Sequence, residues 1–255
     1  MDGPNSEAII QKTKTTYAAL QSYSDTGTVA VQAGSFSFTT HFKTRLQRRD
    51  FYLIEWQREK QALMPNEEKG VVWSDSTGDF LDFAGQGPKK QTSREMAMAG
   101  ATGISSGAAA TIPAEFFGDS WGNKLSRQQQ REPDEKLAGI DCYVVTSSIK
   151  AKEKTFSTTL WIGKQDDLIH QIKTVTTGMS ELPPIEDDAT LKKMLGSQNK
   201  PVTPEAIADL RKSFTAAQAM AQSMLKSGVI QNIETHSDIV TDKTFAPADF
   251  KPATK

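Results

Sequence analysis

The sequence has few of the residues that build disulfides, metal centres or a surface charged with one sign. It contains one cysteine, Cys142, which excludes an internal disulfide and a cysteine-based metal cluster. Its three histidines, His41, His170 and His236, stand far apart without neighbours at ligand spacing, so we expect no metal site. The 30 Lys and Arg residues against 31 Asp and Glu residues leave a formal net charge of -1. Because no basic field surrounds such a chain, nucleic acid is not an expected partner.

The sequence also lacks a long run of large apolar residues. The uncharged stretch 96–114 is long enough to cross a bilayer, but Gly, Ala, Ser and Thr dominate it. Its large apolar residues are Met96, Met98, Ile104 and Ile112, so we expect no transmembrane segment. Residues 1–5 carry neither the basic nor the apolar part of a signal peptide, which leaves open whether an export signal was removed or never present.

Apolar residues at alternate positions predict an antiparallel sheet. Between positions 36 and 46 one face carries the apolar residues and threonines, and the other face is polar. Tyr52, Ile54 and Trp56 repeat the pattern after a turn at Arg49 and Asp50, and further hairpins follow. We therefore expect a meander of about nine or more strands, interrupted by an exposed connection at the very polar run 126–135. The densest basic group, Lys43, Arg45, Arg48 and Arg49, is interpreted as solvated edge protection or a weak anion site.

Helical periodicity appears in three places. Residues 5–21 predict an amphipathic helix capped by Asn5 or Ser6, and 92–101 favour a second one. A long helix is expected from Thr203, its N-cap, to about residue 227. One α+β domain over 1–255 accounts for this order, with a lid segment at about 91–121 and a helical insert at about 181–228.

The motif Gly103-Ile104-Ser105-Ser106-Gly107 fits G-x-S-x-G, which raises the hypothesis of a serine hydrolase. A nucleophile elbow needs a strand that delivers the serine into a tight turn before a helix. Here a helix-favouring sequence precedes Ser105, so we expect no catalytic residue and a non-enzymatic protein. The alternative interpretation of this stretch is the flexible part of a lid.

Five segments follow one another in a characteristic order: "SYSDTGTV", "RLQRRDFYLIEW", "VVWSDSTGDFLDFAG", "TTLWIGKQDDLIHQIK" and "FAPADFKP". In this order they resemble the LolA family of lipoprotein carriers and its uncharacterised exported relatives. The first two are similar to the first strand and the Arg-Pro turn of that family, and the other three to its central hairpin, late hairpin and closing strand. Arg48 matches the family arginine that holds the lid closed, whereas Arg49 stands where proline is expected.

The resemblance implies a curved, incompletely closed antiparallel barrel with helices on the concave face, no cofactor, and an acyl chain of a lipid or lipoprotein as ligand. The candidate apolar wall, which a helix-packed core would explain equally well, consists of Phe36, Phe38, Phe42, Tyr52, Ile54 and Trp56. The candidate lid residues are Met96, Met98, Ile104, Ile112 and Arg48. The implied location is the periplasm or another exported location, with the protein as a monomer and an envelope protein as a possible partner. The alternative function is an envelope interaction or sensor module with a self-filled barrel.

Overall fold

One antiparallel sheet of eleven strands forms the body of the protein. The computed structural model describes residues 3–34, 36–48, 50–59, 68–108, 110–119, 129–178, 187–197, 201–225 and 228–252. The strands in chain order are β1 (Ser22–Ala33), β2 (Phe36–Gln47), β3 (Phe51–Arg58), β4 (Glu68–Asp75), β5 (Gly78–Phe83), β6 (Lys89–Lys90), β7 (Gln130–Leu137), β8 (Ile140–Ala151), β9 (Lys154–Gly163), β10 (Ile169–Thr177) and β11 (Val229–Thr241).

The sheet consists of two sequential meanders joined along one seam. The strand order is β6-β5-β4-β3-β2-β1-β11-β10-β9-β8-β7, so each meander pairs neighbours in sequence and the seam pairs the first strand with the last. The two ends of this order, β6 and β7, do not pair with each other. The predicted α+β fold with an incompletely closed sheet is therefore confirmed.

Five helices accompany the described strands. They are α1 (Ser6–Ala19), α2 (Arg94–Ile104), α3 (Thr111–Phe117), α4 (Asp188–Ser197) and α5 (Pro204–Leu225). The side chain of Asn5 accepts a hydrogen bond from Ala8 N–H at 2.8 Å, which settles the N-cap of α1. Thr203 caps α5 as predicted, because its Oγ1 accepts from Ala206 N–H at 3.2 Å. Among the described helices, none is long and apolar enough to cross a bilayer.

The main core lies between α1, α2, α3 and one face of the sheet, which we call the concave face. Ile9, Ile10 and Tyr17 of α1 belong to the same buried cluster as the concave-face side chains. A second, smaller cluster covers the opposite, outer face, where Leu53 and Trp73 pack against Phe245 and Phe250. Phe250 ends a short 3-10 helix, Pro247–Phe250, so the segment expected to form a closing strand is not a strand, and it covers the outer face.

The helical insert has a small core of its own. Leu191 and Leu195 of α4 pack against Ile207 of α5, with Leu210 and Phe214 beside them. Gly178 N–H donates to Gly228 O at 3.1 Å, so the insert leaves and rejoins the β10–β11 hairpin at one point. Residues 179–186, 198–200 and 226–227 of the predicted insert lie outside the described residues, as do the lid residues 109, 120 and 121.

One predicted connection is in fact a strand. The polar run 126–135 is an expected exposed loop, but its described part from Gln130 onward forms most of β7. Polar and charged residues on an edge strand hinder pairing with another chain, and Pro133 removes one donor. The run is thus polar because it is a sheet edge, and polarity alone does not distinguish an edge strand from a loop.

Candidate ligand site and its cover

The predicted apolar wall divides into two groups. Phe42, Tyr52, Ile54 and Trp56 lie on the concave face within the main core, and each is at most 3% exposed. Phe36 and Phe38 lie outside that cluster, at the far end of β2, where their rings contact each other at 5.6 Å. The Arg58 guanidinium lies 4.7 Å from the Phe38 ring. The structure thus brings four of the six predicted wall residues together.

The predicted lid lies over this wall as two short helices, α2 and α3, which we call the cover. Met98 of α2 and Ile112 of α3 are buried in the main core, and Ile104 packs against it. Met96 instead faces solvent and is 56% exposed. The two candidate lid residues Met96 and Met98 therefore lie on different sides of α2, because residues two apart in a helix point in nearly opposite directions.

Arg48 holds the end of α1 beside the cover. Its Nε donates to Leu20 O at 2.9 Å, and its Nη2 donates to Tyr17 O at 2.8 Å and Ala18 O at 3.0 Å. Its guanidinium also lies 4.4 Å from the Phe116 ring of α3. Burial and the charge of Arg94 lower the pKa of Arg48. As a cation at the C-terminus of α1, Arg48 offsets the dipole of that helix. Its contact with the Phe116 ring also links α1 to α3.

Arg94 fastens the other end of the cover. Its Nη2 and Nε donate to the two carboxylate oxygens of Asp119, at 2.8 and 3.2 Å, and it also pairs with Asp50 in the β2–β3 turn. Its guanidinium lies 4.4 Å from the Phe117 ring. Burial opposes its charge, but the bonds to Asp119 and Asp50 outweigh burial and raise the pKa of Arg94. The bidentate pair with Asp119 fixes the orientation of the Arg94 guanidinium. Arg94, at the start of α2, thus joins the residue that follows α3 to the β2–β3 turn.

A buried ionic network crosses the seam beneath α1. His236 Nδ1 lies 2.6 Å from Asp25 Oδ2, and its Nε2 lies 3.5 Å from Glu234 Oε1. Tyr23 Oη donates to the same Asp25 oxygen at 2.9 Å. Burial opposes the imidazolium, but hydrogen bonds and charges from Asp25 and Glu234 raise the pKa of His236 to about 9. His236 is therefore cationic at neutral pH and lies between two buried carboxylates.

Sequence reasoning missed this network because its members are distant in the chain. Asp25 and His236 are 211 positions apart, and their pairing depends on the β1–β11 register. One signal in the sequence could have revealed the network. Glu234 and His236 lie two positions apart on the apolar face of a strand, and buried charges require partners.

Ser105 does not occupy a nucleophile elbow. It is the C-cap of α2, and its side chain is fully buried. The negative end of a helix dipole disfavours an oxyanion, whereas an elbow places its serine at a helix N-terminus. The three histidines each contact a carboxylate elsewhere: His41 contacts Glu59, His170 contacts Asp166, and His236 contacts Asp25. The Ser105 hydroxyl has no hydrogen-bond partner among the described residues, so none of these histidines is placed to act as its general base.

The remaining chemical candidates are structural in the described part of the chain. No three His, Cys, Asp or Glu side chains there lie close enough to hold a metal ion. The predicted basic group does not form one patch, because Arg45 donates to Asp249 O on the outer face while Arg48 turns to α1. Arg49 lies outside the described residues. Lys43 borders an open outer groove of about 770 Å³, together with Glu55, Lys69 and Trp73.

Comparison with solved structures finds similar chains in bacteria. A DUF1329 family protein from Desulfovibrio piger is 13% identical, with 96% of this chain and 95% of that chain covered and a TM-score of 0.38. A LolA superfamily protein from Nitrosomonas europaea is 10% identical, with coverage of 98% and 99% and a TM-score of 0.34. The lipoprotein LppX of Mycobacterium tuberculosis is 10% identical, with coverage of 94% and 97% and a TM-score of 0.43.

The LolA family, which the sequence motifs resemble, is thus named among these structures. No protein-family model matches the sequence, and no curated protein matches it. Because structures at 10–13% identity carry no information about a shared ligand, the functional proposals below rest on the residues of this chain.

Proposed function

We propose that this protein binds an acyl chain or another apolar ligand, without catalysis, between the concave face and the α2–α3 cover. The proposed setting is the bacterial cell envelope, and the proposed cargo is a lipid or the acyl group of a lipoprotein. The LolA-like motifs and the incompletely closed sheet support this proposal. The ligand would contact Phe42, Tyr52, Ile54 and Trp56 after α2 and α3 move away.

The observation that carries the proposal is the composition of the cover. Its inner side consists largely of small side chains, including Ala97, Ala101 and Ala108, whereas the wall beneath it is aromatic. Small side chains bury little apolar area per residue, so their removal from the wall costs less than removal of a leucine-rich helix. The larger anchors of the cover are Met98, Ile112 and Phe116.

Burial of an acyl chain is worth far more than the hydrogen bonds that hold the middle of the cover. Burial of an acyl chain is worth about 0.8 kcal/mol per CH₂, so a chain of about sixteen carbons provides more than 10 kcal/mol. Hydrogen bonds from Arg58 to Ile104 O and from Asn232 to Ser106 O fasten the middle of the cover. Each hydrogen bond makes a net contribution of about 1 kcal/mol to stability, so burial of a long acyl chain outweighs these two bonds.

Locking the cover to the sheet tests the proposal. An ideal Cβ on Gly100 of α2 lies 3.2 Å from Leu81 Cδ2 of β5, so the double variant Leu81→Cys/Gly100→Cys places two thiols close together. We expect the oxidised variant to bind a dansyl-labelled undecanoic acid at least about tenfold more weakly than the same variant after reduction, equivalent to about 1.4 kcal/mol. Fluorescence titration measures both affinities, and a free-thiol assay verifies the disulfide.

The native cysteine does not interfere with this experiment. Burial, with a contribution from Asp166, raises the pKa of Cys142 to about 11, so little thiolate is available for exchange. The matched control is Gly100→Cys alone under the same oxidation, which should bind the probe equally in both states. Equal affinity of the oxidised and reduced double variant would show that α2 need not move and would contradict the proposal.

A second candidate function is a self-filled scaffold that carries no ligand. The observation in its favour is that Tyr17, Tyr52, Ile54, Met98 and Phe116 are fully buried with the cover closed. Such a core needs no ligand to complete it. In this case the protein would act through its surface, as an interaction or sensor module.

Mass spectrometry of organic extracts separates the two functions. The protein is purified under gentle conditions from the envelope fraction of its native host and extracted with chloroform and methanol. A stoichiometric lipid is the result expected for the carrier. If no lipid is found and the dansyl probe fails to bind, the self-filled scaffold is the correct function.

A further inference from the structure

The wall of the proposed ligand site contains a buried hydrogen-bond donor that the protein itself does not use. The indole N–H of Trp56 has no hydrogen-bond partner among the described residues. Trp56 is 3% exposed and belongs to the main core, so bulk water does not reach this group. An indole nitrogen can donate but not accept, and a buried donor without an acceptor is costly. The Trp56 donor is therefore free to bind an acceptor on a ligand.

The unpaired donor of Trp56 is an exception among comparable side chains. Trp161 shows the ordinary arrangement, since its Nε1 donates to Glu135 Oε2 at 2.8 Å. The other polar side chain of the wall, Tyr52, donates its hydroxyl to Asp79 Oδ1 at 2.8 Å. Buried polar groups in folded proteins nearly always have partners, so the exception at Trp56 requires an explanation.

The Trp56 ring lies between the sheet and the cover. Gly70 of β4 is directly opposite Trp56, and an ideal Cβ on Gly70 would lie 2.3 Å from the ring carbon Cζ2. Gly70 thus leaves the room in which the ring packs on the strand backbone. On the cover side, Gly100 of α2 approaches Leu81 of the neighbouring strand β5. Movement of α2 would therefore expose the ring without removing its support on the sheet.

The Trp56 end of the wall is its polar end. Arg58 is the next concave-face residue of β3, and Thr40 pairs with it from β2. The Thr40 hydroxyl is buried and also has no partner within the described part of the chain. The side chain of Arg58 is 14% exposed and that of its partner Glu68 is 36% exposed, whereas Ile54 is fully buried. An acyl chain along Ile54 would therefore have its polar end near Trp56, where the wall approaches solvent.

The charges near Trp56 favour an acceptor without a charge. Arg58 is already paired with Glu68. Two strands from Thr40, the buried Glu234 contacts His236 and would repel an added anion. The arginines at the opposite end of the wall already bond to carbonyl groups or carboxylates of the chain. Burial of an unpaired carboxylate is costly, whereas a carbonyl oxygen accepts a hydrogen bond without that cost.

We propose that the Trp56 indole N–H donates a hydrogen bond to the carbonyl oxygen of an ester-linked acyl ligand, so that the protein binds esters in preference to free fatty acids. The acyl chain lies against Ile54, and the remainder of the ligand leaves past Thr40 and Arg58. This inference rests on the proposed function, because it requires a ligand beneath the cover. It adds the chemical class of the ligand and the direction in which the ligand lies.

Three dansyl-labelled probes of equal chain length test this preference. They are the undecanoic acid, its methyl ester, and an undecyl chain without a head group, each titrated with direct excitation of the dansyl group. We expect the protein to bind the ester at least about tenfold more tightly than the acid. The ¹H–¹⁵N signal of the Trp56 indole should move downfield when the ester binds, and it should not do so with the undecyl probe.

A matched pair of variants locates the hydrogen bond. Trp56→Phe removes the donor and should weaken the ester at least about fivefold. The undecyl probe reports the effect of the smaller ring alone and should change by less than about twofold. Trp73→Phe is the control, because Trp73 is 8% exposed but lies on the outer face. This variant should leave the affinities of all three probes within about twofold.

The outcomes separate this inference from the proposed function. If the acid binds as tightly as the ester, or if Trp56→Phe weakens the ester and the undecyl probe equally, the inference is wrong and the proposed function stands. An indole signal that responds equally to the ester and the undecyl probe also overturns the inference. If none of the three probes binds the unaltered protein, both the inference and the proposed function are wrong.

Discussion

Replacing His236 with glutamine is expected to destabilise the protein by about 3 kcal/mol at pH 6, because it removes the cation from between two buried carboxylates. Asp25 and Glu234 are each 4% exposed, so water cannot replace the lost partner. Chemical denaturation monitored by tryptophan fluorescence measures the loss. An unchanged free energy of unfolding would show that the network makes no contribution.

The pH dependence of stability gives the same network a distinct signature. The pKa of His236 is about 9 in the folded protein and has an ordinary value of 6.5 in an unfolded chain. Because the folded pKa is the higher one, the stabilisation is fully present below about pH 6.5 and is lost as the pH rises through about 9. The shift corresponds to roughly 3 kcal/mol.

The matched control for this experiment is His41→Gln. His41 also contacts a carboxylate, Glu59 at 2.7 Å, but both side chains are more than half exposed. An exposed pair contributes little, so His41→Gln should keep the decline in stability between pH 6.5 and 9. In His236→Gln that part of the decline should disappear, and its persistence would assign it to another group.

Gly27→Ala is the second substitution with a large expected effect. Gly27 lies opposite Phe42 on one side and His236 on the other, at the centre of the seam. A Cβ at this position would overlap the backbone carbonyl oxygen of Thr235 and the Phe42 ring. We expect a loss of about 3 kcal/mol and a fall in Tm of roughly 10 °C, measured by calorimetry.

Gly103→Ala is the control for the glycine substitution. Gly103 lies on the exposed side of α2, and a Cβ there would meet nothing within 4 Å. Alanine favours helix over glycine, so this variant should be more stable by about 0.5 kcal/mol. A similar loss in both variants would show that the overlap at the seam is not the cause.

Local patterns predicted most elements of this fold. The alternation in β2 and β3 and the caps of α1 and α5 depend on neighbouring residues, and the structure confirms them. The polar residues of β7 were assigned to a loop because solvent exposure produces the same composition at a sheet edge as in a connection. The eleven strands agree with the expected nine or more, and they include this edge and the two-residue strand β6.

The candidate site was less predictable because it depends on tertiary pairing. Phe42, Tyr52, Ile54 and Trp56 meet as expected, since all four follow from strand alternation within one meander. Phe36 follows the same alternation, but its distance along β2 from the centre of the sheet places it outside the core cluster. The contact between Asp25 and His236 depends on the β1–β11 register, which no local pattern encodes.

The seam between β1 and β11 also determines the order in which the chain can fold. Every other strand pair joins strands that are consecutive in the chain, with the helical insert between β10 and β11, whereas the seam joins residues such as Asp25 and His236 across 211 positions. Closing a long loop costs conformational entropy before any contact compensates for it. The two meanders can therefore assemble early, and their union is the slow, cooperative event. We expect the folding barrier to lie where Asp25 and His236 lose their hydration and meet.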